Sequence, residues 1–282
     1  MKTVKDFNEY KILSLNEGRK IESWNGVILD RPDPNIIWED KSFNGKVDAK
    51  YNRSNKGGGN WDNYNAPSSW QIHYKNLTFN LKLMGFKHTG LFPEQAYNWN
   101  IIIDRIKKAN REVKVLNLFA YTGGATLAAL SAGASVVHVD SSRGMTDWAK
   151  ENVISSNLED KPVRFLVDDC KKFVKREIRR GNKYDIIIMD PPSFGRGNKN
   201  EVWDIEKDLF DLVKDCAELL SDNPIMFLIN SYTTALPMSS VENTLKLTVQ
   251  KKFGGKLETD EIGLEGDNNI ILPCGIYSRW EK

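Results

Sequence analysis

The chain has 282 residues, of which 40% are hydrophobic and 28% charged, and its formal net charge is +2. This composition is typical of a globular protein and excludes a disordered chain. No run of 18 apolar residues is present and the N-terminus, MKTVKDFNEYK, is charged, so we expect neither a membrane-spanning helix nor a signal peptide. Three cysteines without CxxC spacing predict a reducing, cytoplasmic location and no metal site.

The sequence changes in character near residue 95. Residues 1–95 are rich in Trp, Asn and Gly, and we predict a small β-rich N-terminal region with a long mobile loop at 51–67. Basic residues between 41 and 56 lie near Trp61 and Tyr64, which suits either single-stranded RNA or a merely polar loop. In residues 96–282, strand-like runs alternate with helix-like runs, which predicts an α/β domain with a mostly parallel sheet, helices on both faces and a C-terminal antiparallel strand pair.

The first predicted strand of this domain leads into the turn NLFAYTGGATLAALSAG, residues 117–133. Gly123 and Gly124 allow the backbone to approach a ligand, and the first amides of the next helix would point at that ligand. The turn lacks the GxGxxG pattern of dinucleotide sites and the GxxxxGK[ST] pattern of phosphate loops, which argues against an NAD-dependent oxidoreductase. Taken alone, it is equally consistent with an ordinary connection.

Acidic residues end the next three predicted strands. Asp140 ends the second strand, where a carboxylate can accept both hydroxyls of a ribose. The third strand ends in Asp168 and Asp169, of which one can reach an adenine amino group while the other caps the following helix. The fourth strand ends in DPPSF, which starts at Asp190 and whose two prolines fix φ and remove two backbone donors.

The order of these motifs resembles that of the class I S-adenosylmethionine-dependent methyltransferases. More narrowly, it resembles the bacterial large-subunit (23S) rRNA methyltransferases that make 5-methylcytosine or 7-methylguanine. The resemblance covers residues 85 to 282, and we expect no counterpart of the N-terminal RNA-binding module usual in that group. It implies a Rossmann-like fold and S-adenosylmethionine as cofactor. The cofactor contacts that it implies are Phe92, Gln95, Phe119, Tyr121, Thr122, Gly123, Asp140, Ser141, Asp168, Asp169, Cys170 and Asp190.

The cysteines bear on which atom is methylated. Cytosine C5 is a poor nucleophile, and enzymes that methylate it first add a cysteine thiolate to C6. In the group that this chain resembles, such a cysteine follows the fifth or the fourth strand, where this sequence has Tyr232 and Ser193. We expect Cys216 in the core, Cys170 in a pocket wall and Cys274 away from the chemistry. The sequence therefore favours a ring or exocyclic nitrogen as methyl acceptor.

The predicted acceptor site follows from the same motif. Asp190 or the Pro191 carbonyl would hold a base amino group, and Phe194 or Tyr232 would stack on the ring. Phe194 as ordinary core packing is the alternative. The predicted catalytic residues are Asp190, Pro191, Pro192, Phe194 and Tyr232.

A basic segment suggests the partner. KKFVKREIRRGNK, residues 171–183, predicts a helix with seven basic residues and one acid, which indicates RNA phosphate contacts or a solvated face. We therefore predict methylation of a base in RNA, with rRNA favoured. The alternatives are a small-molecule or protein methyltransferase and, in another class, a non-catalytic RNA-binding module. The predicted RNA contacts are Lys171, Lys172, Lys175, Arg176, Arg179, Arg180, Arg196 and Lys199.

Overall fold

A computed structural model describes residues 1–54, 58–197, 201–233, 235–266 and 269–282. The chain divides into two compact units. The first unit contains Met1–Tyr97 and Ile262–Cys274, and the second contains Asn98–Glu261 and Gly275–Lys282. The division predicted from the sequence, 1–95 and 96–282, did not include this return of the chain to the first unit. No local pattern signals it.

The first unit contains a five-stranded sheet in the order β1-β2-β3-β4-β5 and a separate hairpin, β6-β7. Asn25 and Gly26 connect β2 to β3 with both residues at positive φ, the turn that suits the twist of a two-residue hairpin. Only β3 and β4 pair in parallel within this sheet. The strands are β1 (Tyr10–Asn16), β2 (Arg19–Trp24), β3 (Val27–Pro32), β4 (Ala49–Arg53), β5 (Gly59–Asn63), β6 (Trp70–Tyr74) and β7 (Leu77–Leu81).

The segment 51–67, predicted as one long loop, is largely a hairpin. β4 and β5 pair antiparallel with Tyr51 opposite Trp61, and the two rings lie 5.3 Å apart. The indole of Trp61 donates to the Met84 carbonyl at 2.8 Å, so this ring is held within the unit. The loop prediction was wrong because abundant Gly and Asn are typical of a loop, whereas the contact that supports the hairpin is not visible in the sequence. Tyr51 and Trp61 are ten residues apart and meet only when the two strands pair. Residues 55–57 lie outside the described residues.

A buried ion pair supports the first sheet. Glu22 is fully buried and accepts two hydrogen bonds from the Arg31 guanidinium, at 2.6 and 2.8 Å, and one from the Tyr10 hydroxyl at 2.6 Å. Burial alone would raise the pKa of Glu22, but Arg31 and Lys20 lower it to about 2. Removing either member of such a pair would leave an uncompensated buried charge.

The second unit carries the predicted parallel sheet. Its strand order is β10-β9-β8-β11-β14-β16-β15, in which the first five strands are parallel and β16 pairs antiparallel with β14. The order reverses between β8 and β11, which places a crevice at the carboxyl ends of these strands. The strands are β8 (Lys114–Leu118), β9 (Ser135–Asp140), β10 (Val163–Val167), β11 (Ile186–Met189), the separate hairpin β12 (Phe194–Arg196) and β13 (Val202–Asp204), β14 (Met226–Ser231), β15 (Lys256–Glu265) and β16 (Ile271–Glu281).

The helices of eight or more residues cover the sheet through buried apolar residues. In the basic segment, Phe173 and Val174 are buried while Lys175 is exposed, and Cys216 lies in the core as predicted. None of the helices in the described ranges is long and apolar enough to cross a membrane. The helices are α1 (Ala96–Ala109), α2 (Gly124–Ser131), α3 (Arg143–Ser155), α4 (Cys170–Arg180), α5 (Ile205–Ala217), α6 (Met238–Leu245) and α7 (Lys251–Phe253), with a 3₁₀ turn at Pro93–Gln95 and a π-helical turn at Lys246–Gln250.

A buried histidine makes the second unit sensitive to acid. His138 on β9 is fully buried, and its Nδ1 lies 3.0 Å from the Thr126 hydroxyl, which also accepts from Asn117. Burial, with a smaller contribution from Lys150, lowers the pKa of His138 to about 3. The folded protein therefore keeps this imidazole neutral, whereas the unfolded chain takes up a proton near pH 6.5.

We expect the stabilisation from neutral His138 to be complete above pH 6.5 and to be lost progressively as the pH falls towards 3. The free energy of unfolding should decrease by up to about 1.4 kcal/mol per pH unit in this window. Urea unfolding at pH 7, 6 and 5 measures the slope. His138→Gln should reduce this slope. An unchanged slope in the His138 variant would contradict the assignment.

Candidate active site

The predicted residues of the second unit follow strands that end at one crevice. Phe119 follows β8, Ser141 follows β9, Asp168 follows β10 and Asp190 follows β11. These four strands are neighbours in the sheet and run parallel, so their carboxyl ends lie on the same edge. The structure therefore brings the predicted strand-end residues together.

The turn after β8 has an unusual backbone. Phe119 and Tyr121 have positive φ, 53° and 51°, and Gly123 follows at 88°. A residue other than glycine in this region costs on the order of 1 kcal/mol or more, and such residues cluster at ligand sites. The Ala120 amide donates to the Val139 carbonyl at 3.1 Å, which ties the turn to β9.

Asp140 holds this turn in place. Its Oδ2 accepts from the Tyr121 amide at 2.9 Å and its Oδ1 from the Ser142 amide at 2.8 Å. Burial raises the pKa of the Asp140 carboxyl, and the two amide bonds oppose that rise. Each carboxylate oxygen has capacity for a further hydrogen bond, which fits recognition of two neighbouring hydroxyls.

The two glycines form a close-fitting cradle. A Cβ on Gly123 would lie 3.1 Å from the Ala149 Cβ, and one on Gly124 would lie 2.7 Å from Cζ2 of Trp99. No side chain caps the N-terminus of α2, which leaves its first amides for an anionic group. Thr122 is buried, and its carbonyl accepts from the side-chain amide (Nδ2) of Asn152 at 2.9 Å. These features fit the amino-acid end of S-adenosylmethionine, which carries a carboxylate.

We expect Gly124→Ala to lower the free energy of unfolding by about 1–3 kcal/mol, because the buried Trp99 ring must shift to admit a methyl group. Thermal or urea unfolding measures this change. Gly144→Ala is the matched control: a Cβ there meets open space on α3, so it should stabilise the helix by about 0.5–1 kcal/mol. Equal stability of the two variants would contradict the expectation.

The two acids after β10 have separate structural roles. Asp169 is the N-cap of α4, since its side chain accepts from the Lys172 amide at 2.8 Å. Asp168 accepts from the Asp169 amide and forms an ion pair with Arg176. The expectation that one of the pair is a cap holds for Asp169, and the adenine contact stays a prediction. A cavity of about 220 Å³ is lined by Ser141, Val167, Asp168, Asp169, Lys172, Arg176, Gly197 and Glu201.

Cys170 is a core residue rather than a wall of this cavity. It is the first residue of α4, is buried, and belongs to the hydrophobic cluster that includes Leu118 and Phe173. Burial raises the pKa of its thiol well above the usual range. Its contact with the cofactor stays a prediction.

The DPPSF motif, called the acceptor loop below, directly follows β11 and is held in place by several hydrogen bonds. Pro191 is buried, and the Pro192 carbonyl accepts from the Trp203 indole at 2.6 Å. The Ser193 carbonyl accepts from the Ile205 amide at 3.0 Å, and the Ser193 hydroxyl lies 2.6 Å from that of Thr233. The Ser193–Thr233 bond joins the loop after β11 to the loop after β14.

The two predicted stacking residues are available at the surface to different extents. Phe194 is 56% exposed on β12, which excludes the alternative of core packing. Tyr232 is half-buried directly after β14.

Cys274 lies in the first unit, where its thiol is 3.5 Å from the Leu272 carbonyl.

Phe92 and Gln95 belong to the first unit. Phe92 precedes the Pro93–Gln95 turn, and its ring lies 5.2 Å from that of His88, while Gln95 is buried. Their contact with the cofactor stays a prediction.

Most of the predicted basic face is paired with acids. Asp208 and Glu201, which lie close to α4 only in the fold, neutralise two of its lysines, so the run of one charge in the sequence is not a run of one charge in space. Lys175 and Arg179 are exposed and form no ion pair within the described residues, and the same holds for Arg196 on β12. Lys199 lies outside the described residues. The pairs are Lys171–Asp208 at 3.0 Å, Lys172–Glu201 at 2.6 Å, Arg176–Asp168 and Arg180–Glu177 at 3.0 Å.

The comparison with known families decides the class of the protein. A family model of S-adenosylmethionine-dependent methyltransferases matches residues 44–261. The chain belongs to this family. The predicted fold class, cofactor and class of enzyme are thereby confirmed.

Two solved structures are similar to this S-adenosylmethionine-dependent methyltransferase. The SAM-dependent methyltransferase from Agrobacterium tumefaciens, which has a crystal structure, is 31% identical in sequence to this chain. The two structures superpose with a TM-score of 0.91, and the match covers 97% of this chain and 90% of the other. A putative SAM-dependent methyltransferase from Streptococcus mutans is 20% identical, with a TM-score of 0.74 over 99% of this chain and 76% of that one, and shows the fold alone.

The curated relatives are longer proteins. The ribosomal RNA large subunit methyltransferase K/L of Shewanella frigidimarina is 35% identical over 155 residues, which are 54% of this chain and 21% of that protein. This chain thus matches about a fifth to a quarter of the length of the first such relatives.

Proposed function

We propose that this protein transfers a methyl group from S-adenosylmethionine to a nitrogen of a base in ribosomal RNA. The observation that carries the choice of nitrogen is the absence of a thiol at the two acceptor positions, which hold Ser193 and Tyr232. The thiols of Cys170 and Cys216 are buried, with pKa values raised by burial, so neither is suited to nucleophilic addition. The names of the rRNA large subunit methyltransferase K/L relatives support RNA as the substrate.

S-adenosylmethionine would supply a methyl group that is already electrophilic, so the residues of this chain chiefly have to bind, orient and exclude water. Asp140 would hold the ribose hydroxyls while Gly123 and the α2 amides hold the amino-acid end. An acid after β10 would contact adenine.

The acceptor base would be held by the loop after β11. The Asp190 carboxylate or the Pro191 carbonyl would accept a hydrogen bond from an amino group of the base. That bond would align a base nitrogen with the methyl group, and Phe194 or Tyr232 would stack on the ring. The exposed cations Lys175, Arg179 and Arg196, with Lys199, would contact RNA phosphates. A cytoplasmic location accompanies this proposal and rests on the cysteine usage.

Nucleoside mass mapping of rRNA from cells with and without this protein tests the proposal. We expect one methylated nucleoside with a nitrogen-bound methyl group to disappear, and purified protein to restore it in the extracted RNA. Loss of 5-methylcytosine would refute the argument from the missing thiol. Unchanged rRNA, with transfer to a small molecule or a protein instead, would refute the choice of substrate. No S-adenosylmethionine binding in calorimetry would leave only the non-catalytic RNA-binding alternative.

A further inference from the structure

The acceptor loop is fixed in an unusual way. Two successive prolines deprive residues 191 and 192 of backbone donors, so the loop can be anchored there only through acceptors and side chains. The structure supplies both partners from one short segment: the Trp203 indole donates to the Pro192 carbonyl at 2.6 Å, and the Ile205 amide donates to the Ser193 carbonyl at 3.0 Å. The segment from β13 to the start of α5 therefore holds this loop, together with the Ser193–Thr233 bond.

The ring of Trp203 has a second contact, on the cofactor side. It lies 4.9 Å from the Phe119 ring at an interplanar angle of 55°. Phe119 is the first of the positive-φ residues in the turn after β8. Trp203 is only 6% exposed, so it packs between the turn and the acceptor loop without presenting a surface to substrate.

The turn end of the hairpin is contacted by α4. Lys171 donates to the Val202 carbonyl at 3.0 Å, and its ammonium lies 5.9 Å from the centre of the Trp203 ring. In the opposite strand, Phe194 and Arg196 are exposed. Successive residues of a strand point to opposite faces, so the hairpin turns Trp203 inward and Phe194 outward.

We propose that Trp203 is a positioning residue that couples the cofactor turn to the acceptor loop. Its indole N–H holds the Pro192 carbonyl, which sets the direction of the preceding Asp190–Pro191 segment, while its ring holds Phe119. The inference rests on the proposed function for the role of the acceptor loop in methyl transfer. The contacts with Phe119 and Pro192 do not depend on which substrate is methylated.

Trp203→Phe tests the hydrogen bond separately from the packing. Phenylalanine retains an aromatic ring against Phe119 and removes the donor to Pro192. We expect the Kd for S-adenosylmethionine to change less than about twofold and kcat to fall about 10-fold or more, since displacement of a reacting group by about 1 Å can cost 100-fold. Trp203→Leu removes the ring as well and should also weaken cofactor binding.

The matched control is Trp280→Phe. Trp280 is fully buried in the same unit, and its indole donates to the Gly254 carbonyl, also at 2.6 Å. This variant loses an equivalent hydrogen bond and should lower stability to a similar extent while kcat stays as in the wild type. A purely structural role of Trp203 would make the two variants behave alike.

A spectroscopic measurement does not depend on the RNA. In a ¹⁵N-labelled protein, the indole resonance of Trp203, assigned by its loss in Trp203→Phe, should shift when S-adenosylmethionine is added, and that of Trp280 should not. Wild-type kcat in Trp203→Phe, or an indole resonance that does not respond to the cofactor, overturns the proposal. If wild-type protein transfers no methyl group to rRNA, the proposed function fails, and the resonance still decides the coupling.

Discussion

Asp140→Ala should weaken S-adenosylmethionine binding on the order of 100-fold or more in Kd. Hydrogen bonds to a charged group contribute roughly 1.5–3 kcal/mol each, and a carboxylate that takes two ribose hydroxyls would lose both. The substitution also removes the acceptor of the Tyr121 amide, which helps to hold the turn after β8 in its positive-φ conformation. Isothermal titration with S-adenosylmethionine measures the change.

Two variants separate the contributions of Asp140. Asp140→Asn keeps one carbonyl oxygen, so its Kd should lie between those of the wild type and Asp140→Ala. Asp147→Ala removes a half-buried carboxylate that pairs with Lys150 on the neighbouring α3, and it should leave the Kd unchanged. Wild-type affinity in Asp140→Ala would refute the ribose assignment and, with it, the placement of the cofactor in this crevice.

Asp190→Ala should reduce the rate of methyl transfer on the order of 100-fold to 1000-fold, with a smaller effect on the Kd of S-adenosylmethionine than Asp140→Ala. Loss of one preorganised hydrogen-bonding group at a reacting centre typically has an effect of this size. Asp190 directly follows β11, and the anchored prolines behind it keep its backbone in place after truncation. Single-turnover transfer at saturating cofactor and RNA measures the rate of the chemical step.

The control for Asp190→Ala is Asp211→Ala, which removes an exposed carboxylate from α5. Its rate should equal that of the wild type. Asp190→Asn should retain part of the rate, because an amide oxygen can still accept from an amino group. An Asp190→Ala enzyme with the wild-type rate would show that the Pro191 carbonyl, or another group, positions the acceptor.

Much of the fold and of the crevice could be predicted because their signals are local. Runs such as IIIM at 186–189 are buried on both faces of a parallel sheet, and the acids that follow the strands mark the edge where ligands bind. Gly123 and Gly124 were identifiable for the same reason, since a tight approach requires glycine at those positions themselves.

The parts that could not be predicted depend on partners far apart in sequence. The charge of α4 is offset by Glu201 and Asp208, which lie 29 and 37 residues from their partners Lys172 and Lys171, and no helical spacing reveals such pairs. Trp203 carries no motif of its own, and its role follows only from the Pro192 carbonyl and the Phe119 ring that meet it in space. Phe194 was assigned two alternative roles because its exposure depends on the hairpin that contains it.

The return of Ile262–Cys274 to the first unit has a consequence for biosynthesis. Lys2 bridges to Ile262, Ile12 bridges to Gly266, and the Asn35 side chain donates to the Pro273 carbonyl at 3.0 Å. Domains generally fold as the chain emerges from the ribosome, N-terminal part first. Here the residues Met1–Tyr97 are synthesised first, but Ile262–Cys274, which complete the same unit, are translated only after Glu261. The first unit therefore reaches its native form late in synthesis. A chain whose synthesis stops before residue 262 lacks Ile262–Cys274, so its first unit is incomplete.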